Sequence, residues 1–111
     1  MGFFDFGTKA QVEVLTRDIG QIMQIVEEKM RQSSNKSTPE IRGIAFLLMD
    51  KKKQLVVLIS ALTQSTRDNL KVRYKNQKVS YFSFIHEMKT VSDKVYIVTG
   101  IDFFTETIDK R

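Results

Sequence analysis

The chain has one histidine, His86, and no cysteine. A metal site built on two imidazoles, a thiolate site and a cysteine nucleophile are therefore beyond its means. His86-Glu87 opens like a zinc-protease helix, but the fifth position is Thr90, so the second ligand is missing. There is no Gly-x-Ser-x-Gly, no Walker loop and no Gly-x-Gly-x-x-Gly, and the five glycines are scattered. These residue types predict a non-enzymatic protein with no metal and no cofactor.

The chemistry that remains is charge. The formal net charge is +5, and it is unevenly placed. Residues 1–35 hold four basic and five acidic side chains, residues 36–93 hold eleven and five, and residues 94–111 hold three of each. The excess sits in the middle of the chain, where a local patch can attract a polyanion. The plainer reading is a solvated face that keeps the protein soluble.

Strict alternation marks the centre of that segment. Leu70, Val72 and Tyr74 interleave with Lys71, Arg73 and Lys75, as in a half-buried strand with a basic outer face. A turn at Asn76-Gln77 would return the chain along Val79–Ile85. Lys75 would then face Lys78, Arg73 would face Ser80, Lys71 would face Phe82 and Asn69 would face Phe84. One side of the hairpin would show Lys71, Arg73, Lys75, Lys78, Phe82 and Phe84. The other side would bury Tyr74 with Val79, Val72 with Tyr81 and Leu70 with Ser83. Cations along a track beside exposed rings suit single-stranded DNA or RNA, with phosphates on the charges and bases stacked on the rings. Lys51, Lys52 and Lys53 would extend this surface from a second hairpin tip. A one-residue change in the turn would bury Phe82 and Phe84 instead, under Phe3, Phe4 and Phe6.

The elements that must carry these residues begin with a long helix. Thr8-Lys-Ala-Gln11 fits a capping box. Val12, Leu15, Ile19, Ile22, Met23, Val26 and Met30 then form one apolar stripe at helical spacing. The spacing predicts a helix over 8–32, after an aromatic segment at 1–7. A polar linker follows at 33–40. Gly20 inside the helix implies a close approach by another backbone or a bend. Val14 and Ile25 lie off the stripe, as a second contact face would.

Residues 41–49 and 55–62 are nearly continuous apolar runs around Asp50-Lys-Lys-Lys-Gln54. The second is β-branched and the polar connection is short, so both read as central strands, although Thr38-Pro39-Glu40 would also start a helix. Residues 95–99 read as a further strand, and 100–111 as a short helix on Ile101, Phe104 and Ile108. The expectation is a single α+β domain over 1–111: the long N-terminal helix on a mainly antiparallel sheet of about five strands at 41–99, open or closed into a small barrel, and a short C-terminal helix.

The N-terminus lacks a basic region and a long apolar core, so no signal peptide is expected, and no apolar run reaches the ~20 residues that span a bilayer. A cytoplasmic location follows as the expectation. Apolar side chains on both faces of the central strands would leave surface to cover, which predicts a homodimer, with Val14, Gly20 and Ile25 at its interface. Two functional classes follow. The favoured one is a nucleic-acid-binding protein; the alternative is a homo-oligomeric assembly module with no nucleic-acid role.

Overall fold

The computed structural model describes residues 2–109, with side chains from Gly7 onward. Helix α1 (Gly2–Gln32) is followed by α2 (Pro39–Ser60) and the short α3 (Gln64–Asp68). A hairpin of β1 (Lys71–Tyr74) and β2 (Gln77–Ser80) leads into α4 (Tyr81–Thr99). A second hairpin, β3 (Ile101–Asp102) with β4 (Thr107–Ile108), completes the described chain. Helices take up about 70% of the chain, so the expected five-strand sheet and the barrel are both overturned. Short antiparallel strands accompany the helices, and each described sheet has two strands.

The stripe on α1 is as the spacing predicts: Val12, Leu15, Ile19, Met23, Val26 and Met30 are buried. The start is not. The helix runs back to Gly2, so Thr8 lies inside it rather than at its cap. The proposed cover of Phe82 and Phe84 by Phe3, Phe4 and Phe6 falls on side chains outside the described residues.

The two apolar runs at 41–62 are one helix, not two strands. Thr38 accepts a hydrogen bond from the Ile41 N–H, and Pro39 occupies the first turn, where its missing N–H costs nothing. Ile41, Ala45, Leu48 and Leu55 are buried on one stripe. Lys52 falls on the same stripe and reaches out of it to Glu106, 2.9 Å away. The polar stretch at 50–54 is therefore mid-helix rather than a turn. A short linker after α1 sends α2 back along it, so that Leu58 lines one groove with Val14 and Leu15, and Lys29 meets Glu40 at 3.3 Å near the linker.

Residues 95–99 belong to α4, not to a strand. Ser80 caps that helix by accepting from the Ser83 N–H, and Gly100 ends it in the left-handed region at φ 77°. Phe84, Met88, Val91 and Val95 form its buried stripe. The expected closing helix at 100–111 is instead the β3–β4 hairpin. Asp102 holds its loop by accepting from the N–H groups of Phe104 and Thr105 and from the Ser92 hydroxyl at 2.7 Å. Ile101 and Phe103 plug the core beneath it. Arg42 donates to the Thr99 carbonyl at 2.9 Å, which ties the start of α2 to the end of α4.

Candidate nucleic-acid interface

The β1–β2 hairpin forms one residue earlier than expected. Its turn is Lys75-Asn76, with both residues at positive φ (52° and 64°), as the tight two-residue hairpin turns require. The pairs are Lys71 with Ser80, Val72 with Val79, Arg73 with Lys78 and Tyr74 with Gln77. Each end of a pair keeps its parity, so Lys71, Arg73 and Lys78 still share one face. Lys75 sits in the turn at their end.

The aromatic half of the expected platform does not assemble. Phe84 is a helix residue with 0% exposure, edge-on to Tyr74 at 5.7 Å between ring centroids. It has no face to offer a base. Phe82 is 63% exposed, but it lies with Val79, Gln77 and His86 on the opposite side of the hairpin from Lys71 and Arg73. The triple lysine is likewise redirected. Lys52 and Lys53 both bond Glu106, at 2.9 and 3.8 Å, and Lys52 also stands 5.7 Å above the Phe104 ring. Lys51 lines a groove between α1 and α2.

Helix α1 supplies what sequence reading missed. Lys9, Glu13, Arg17 and Gln24 recur at helical spacing along the flank of the buried stripe, beside the hairpin. No sequence signal singles them out, because Lys9 and Arg17 stand about 80° apart on the helical projection and meet the hairpin only through packing. Two hollows follow, of about 470 and 350 Å³. The first is walled by Lys9, Arg17, Lys71, Arg73 and Lys78, and the second by Arg17, Gln24, Arg73, Lys75 and Asn76. Arg17 and Arg73 belong to both, so the two form one trough between α1 and the hairpin.

The trough is electropositive. Lys9, Arg17, Lys71, Arg73, Lys75 and Lys78 are exposed, and none makes an ion pair among the described residues. The cations elsewhere at Lys29, Arg31, Lys52, Lys53, Lys89 and Lys94 are each paired with a carboxylate. Arg73 stands directly across from Lys78, a like-charge pair that costs the hairpin stability. Among the described residues Glu13 is the one acid in the walls.

The hairpin is seated by its inner face. Val72 and Tyr74 are buried, and the Tyr74 ring occupies the space a side chain at Gly20 would fill. Gly20 therefore serves a contact within the chain, and its expected place at a dimer seam is taken by Tyr74. Burial pushes the Tyr74 phenol up to about 12, helped by the carboxylates of Glu87 and Glu27. Val14 and Ile25 are exposed at 50% and 49%, as an outward contact face would be. Among the described residues no His, Asp and Glu cluster could hold a metal, and no helix is long and apolar enough to cross a membrane.

No protein-family model matches the chain, and no curated protein or solved structure matches it.

Proposed function

We propose that this is a non-enzymatic nucleic-acid-binding protein that holds the phosphate backbone in the trough between α1 and the β1–β2 hairpin. One observation carries the reading: six exposed cations with no ion pair among the described residues line a single concave surface, while six of the ten other described cations are paired. An anion between Arg73 and Lys78 would relieve their mutual repulsion. Phosphate contacts of this kind position the partner without reading its bases. The proposal includes the cytoplasmic location expected from the sequence. Fluorescence anisotropy with a labelled oligonucleotide across a salt series tests it. Affinity should fall steeply as salt rises, and absence of binding at low salt would overturn it.

A second reading, self-association, has its own observation. The groove between α1 and α2 is walled by Ala10, Val14, Leu15 and Leu58, with Asp18 and Lys51 at its polar edge. A two-fold partner copy would cover this apolar surface and set its Lys51 against Asp18. This groove adjoins the trough, sharing Ala10 and Val14 with its first hollow. Sedimentation equilibrium at micromolar concentration tests it, and a single species at 12.9 kDa would overturn it.

A further inference from the structure

We infer that the trough takes double-stranded nucleic acid in preference to single strands, and without regard to sequence. The inference rests on the nucleic-acid reading above and narrows its partner. Preference for single strands comes from aromatic faces on which unpaired bases stack. Among the described residues the one ring in the trough's walls is that of Tyr74, which is buried. Phe84 is buried, Phe82 lines a separate hollow that shares only Tyr74 and Lys75 with the trough, and the Tyr74 ring is packed between Gly20, Phe84 and Lys75. What the trough offers is charge alone, so affinity follows the density of phosphate presented to it. A duplex carries one negative charge per about 1.7 Å of axis, twice that of either strand.

Dimensions agree with this. Lys9 to Gln24 spans about 22 Å of helix, and β1 runs alongside it from Lys71 to the turn at Lys75. A length of about 22 Å covers roughly six base pairs at 3.4 Å each. The cations come from two separate walls, Lys9 and Arg17 from α1 on one side and the remaining four from the hairpin on the other. The amide side chains that could pair with base edges stand at the two ends, Asn69 in the first hollow and Gln21, Gln24 and Asn76 in the second. Arg17 and Arg73 lie mid-trough, between charged neighbours, where backbone contact is their use.

The six cations set the expected numbers. The logarithm of the binding constant should fall against the logarithm of salt with a slope of about −5 for duplex and about −4 for a single strand if all are engaged. Between 1 M and 0.1 M salt that difference alone shifts the preference toward duplex by about tenfold. The experiment uses the full chain and labelled DNA of about twelve base pairs, twice the covered length, in two unrelated sequences, with their separated strands and a matching RNA duplex. Tighter binding of either duplex than of strands, equal for both sequences, is the expected result, and the RNA arm distinguishes the source of the paired phosphates. Equal or tighter binding of single strands would overturn the inference while leaving the nucleic-acid reading in place. No binding of any probe at 50 mM salt would overturn that reading itself. Phe82→Ala provides a second check. It should change neither affinity, and a selective loss of single-strand binding would show a stacking site and overturn the inference.

Discussion

Gly20 on α1 makes room for Tyr74 on β1. A β-carbon at Gly20 would stand 3.0 Å from Tyr74 Cδ1, whereas one at Gly43 on α2 would meet nothing within 4 Å. Both glycines lie inside helices, so both forfeit about 1 kcal/mol of helix propensity against alanine. Only Gly20 has a packing reason to do so. The trough depends on this contact, because it seats the hairpin against α1.

Gly43→Ala should therefore stabilise the protein by about 0.5–1 kcal/mol. Gly20→Ala should destabilise it, because overpacking costs about 1–3 kcal/mol and outweighs the gain in propensity. Urea denaturation of the two variants beside the parent checks this. A stabilised Gly20→Ala would contradict the packing account.

Alkaline pH should loosen the same contact. The phenols of Tyr74 and Tyr81 are both pushed up to about 12 by burial, with Glu87 and Glu27 adding to the effect at Tyr74. Above about pH 10 an unfolded tyrosine releases its proton while these two hold theirs. Stability should fall as pH rises from 10 toward 12. The buried Tyr74 hydroxyl has no hydrogen-bond partner among the described residues. Tyr74→Phe should thus be neutral or stabilising at neutral pH and should flatten the alkaline slope. Thermal melts from pH 8 to 11.5 measure both effects.

The second hairpin responds to acid. Burial works against the charge on Asp102, but hydrogen bonds from Ser92, Thr105 and Phe104 outweigh it and hold its carboxyl below the usual range. Its contribution is present above the ordinary aspartate value and is lost as pH falls through the lowered one. Asp102→Ala should cost about 1–3 kcal/mol near neutral pH, and much less at acid pH. Ser92→Ala should be less harmful in the Asp102→Ala background than in the parent, since the two share a bond. A double-mutant cycle tests this coupling.

Much of α1 was legible, because seven apolar residues on one stripe admit only a helix. The chain at 41–62 was not. Its apolar runs are long enough for strands, and Asp50-Lys-Lys-Lys-Gln54 resembles a turn. Two signals favoured the helix. Thr38-Pro39 is a capping pair, and Ile41, Ala45, Leu48, Lys52 and Leu55 recur at three and four once Lys52 is allowed on the stripe. Its reach to Glu106 cannot be seen in sequence, since the partner lies on a distant hairpin. The hairpin's basic face was legible for a robust reason: moving the turn by one residue preserves the parity of Lys71, Arg73 and Lys78. Phe82 and Phe84 had no such protection, because the strand that would have exposed them ends at Ser80. Lys9 and Arg17 were missed because they join the trough only through the packing of β1 on α1.

Self-association makes a separate prediction. Val14→Asp with Ile25→Asp should shift a concentration-dependent dimer to monomer in sedimentation. Both positions are half exposed, so the fold should tolerate the change within about 0.5 kcal/mol. Dimerisation unaffected by the pair would contradict the groove between α1 and α2 as the seam.

The trough itself is tested most directly by the salt dependence of duplex binding in two charge-matched variants. Arg17→Gln with Arg73→Gln removes two cations from the trough, while Lys52→Gln with Lys53→Gln removes two that are bonded to Glu106. Net charge falls equally in both. The first variant should lower affinity for all sequences and reduce the salt slope by about 2, and the second should leave the slope near that of the parent. Equal losses in the two variants would mean that overall charge, not the trough between α1 and the hairpin, holds the nucleic acid.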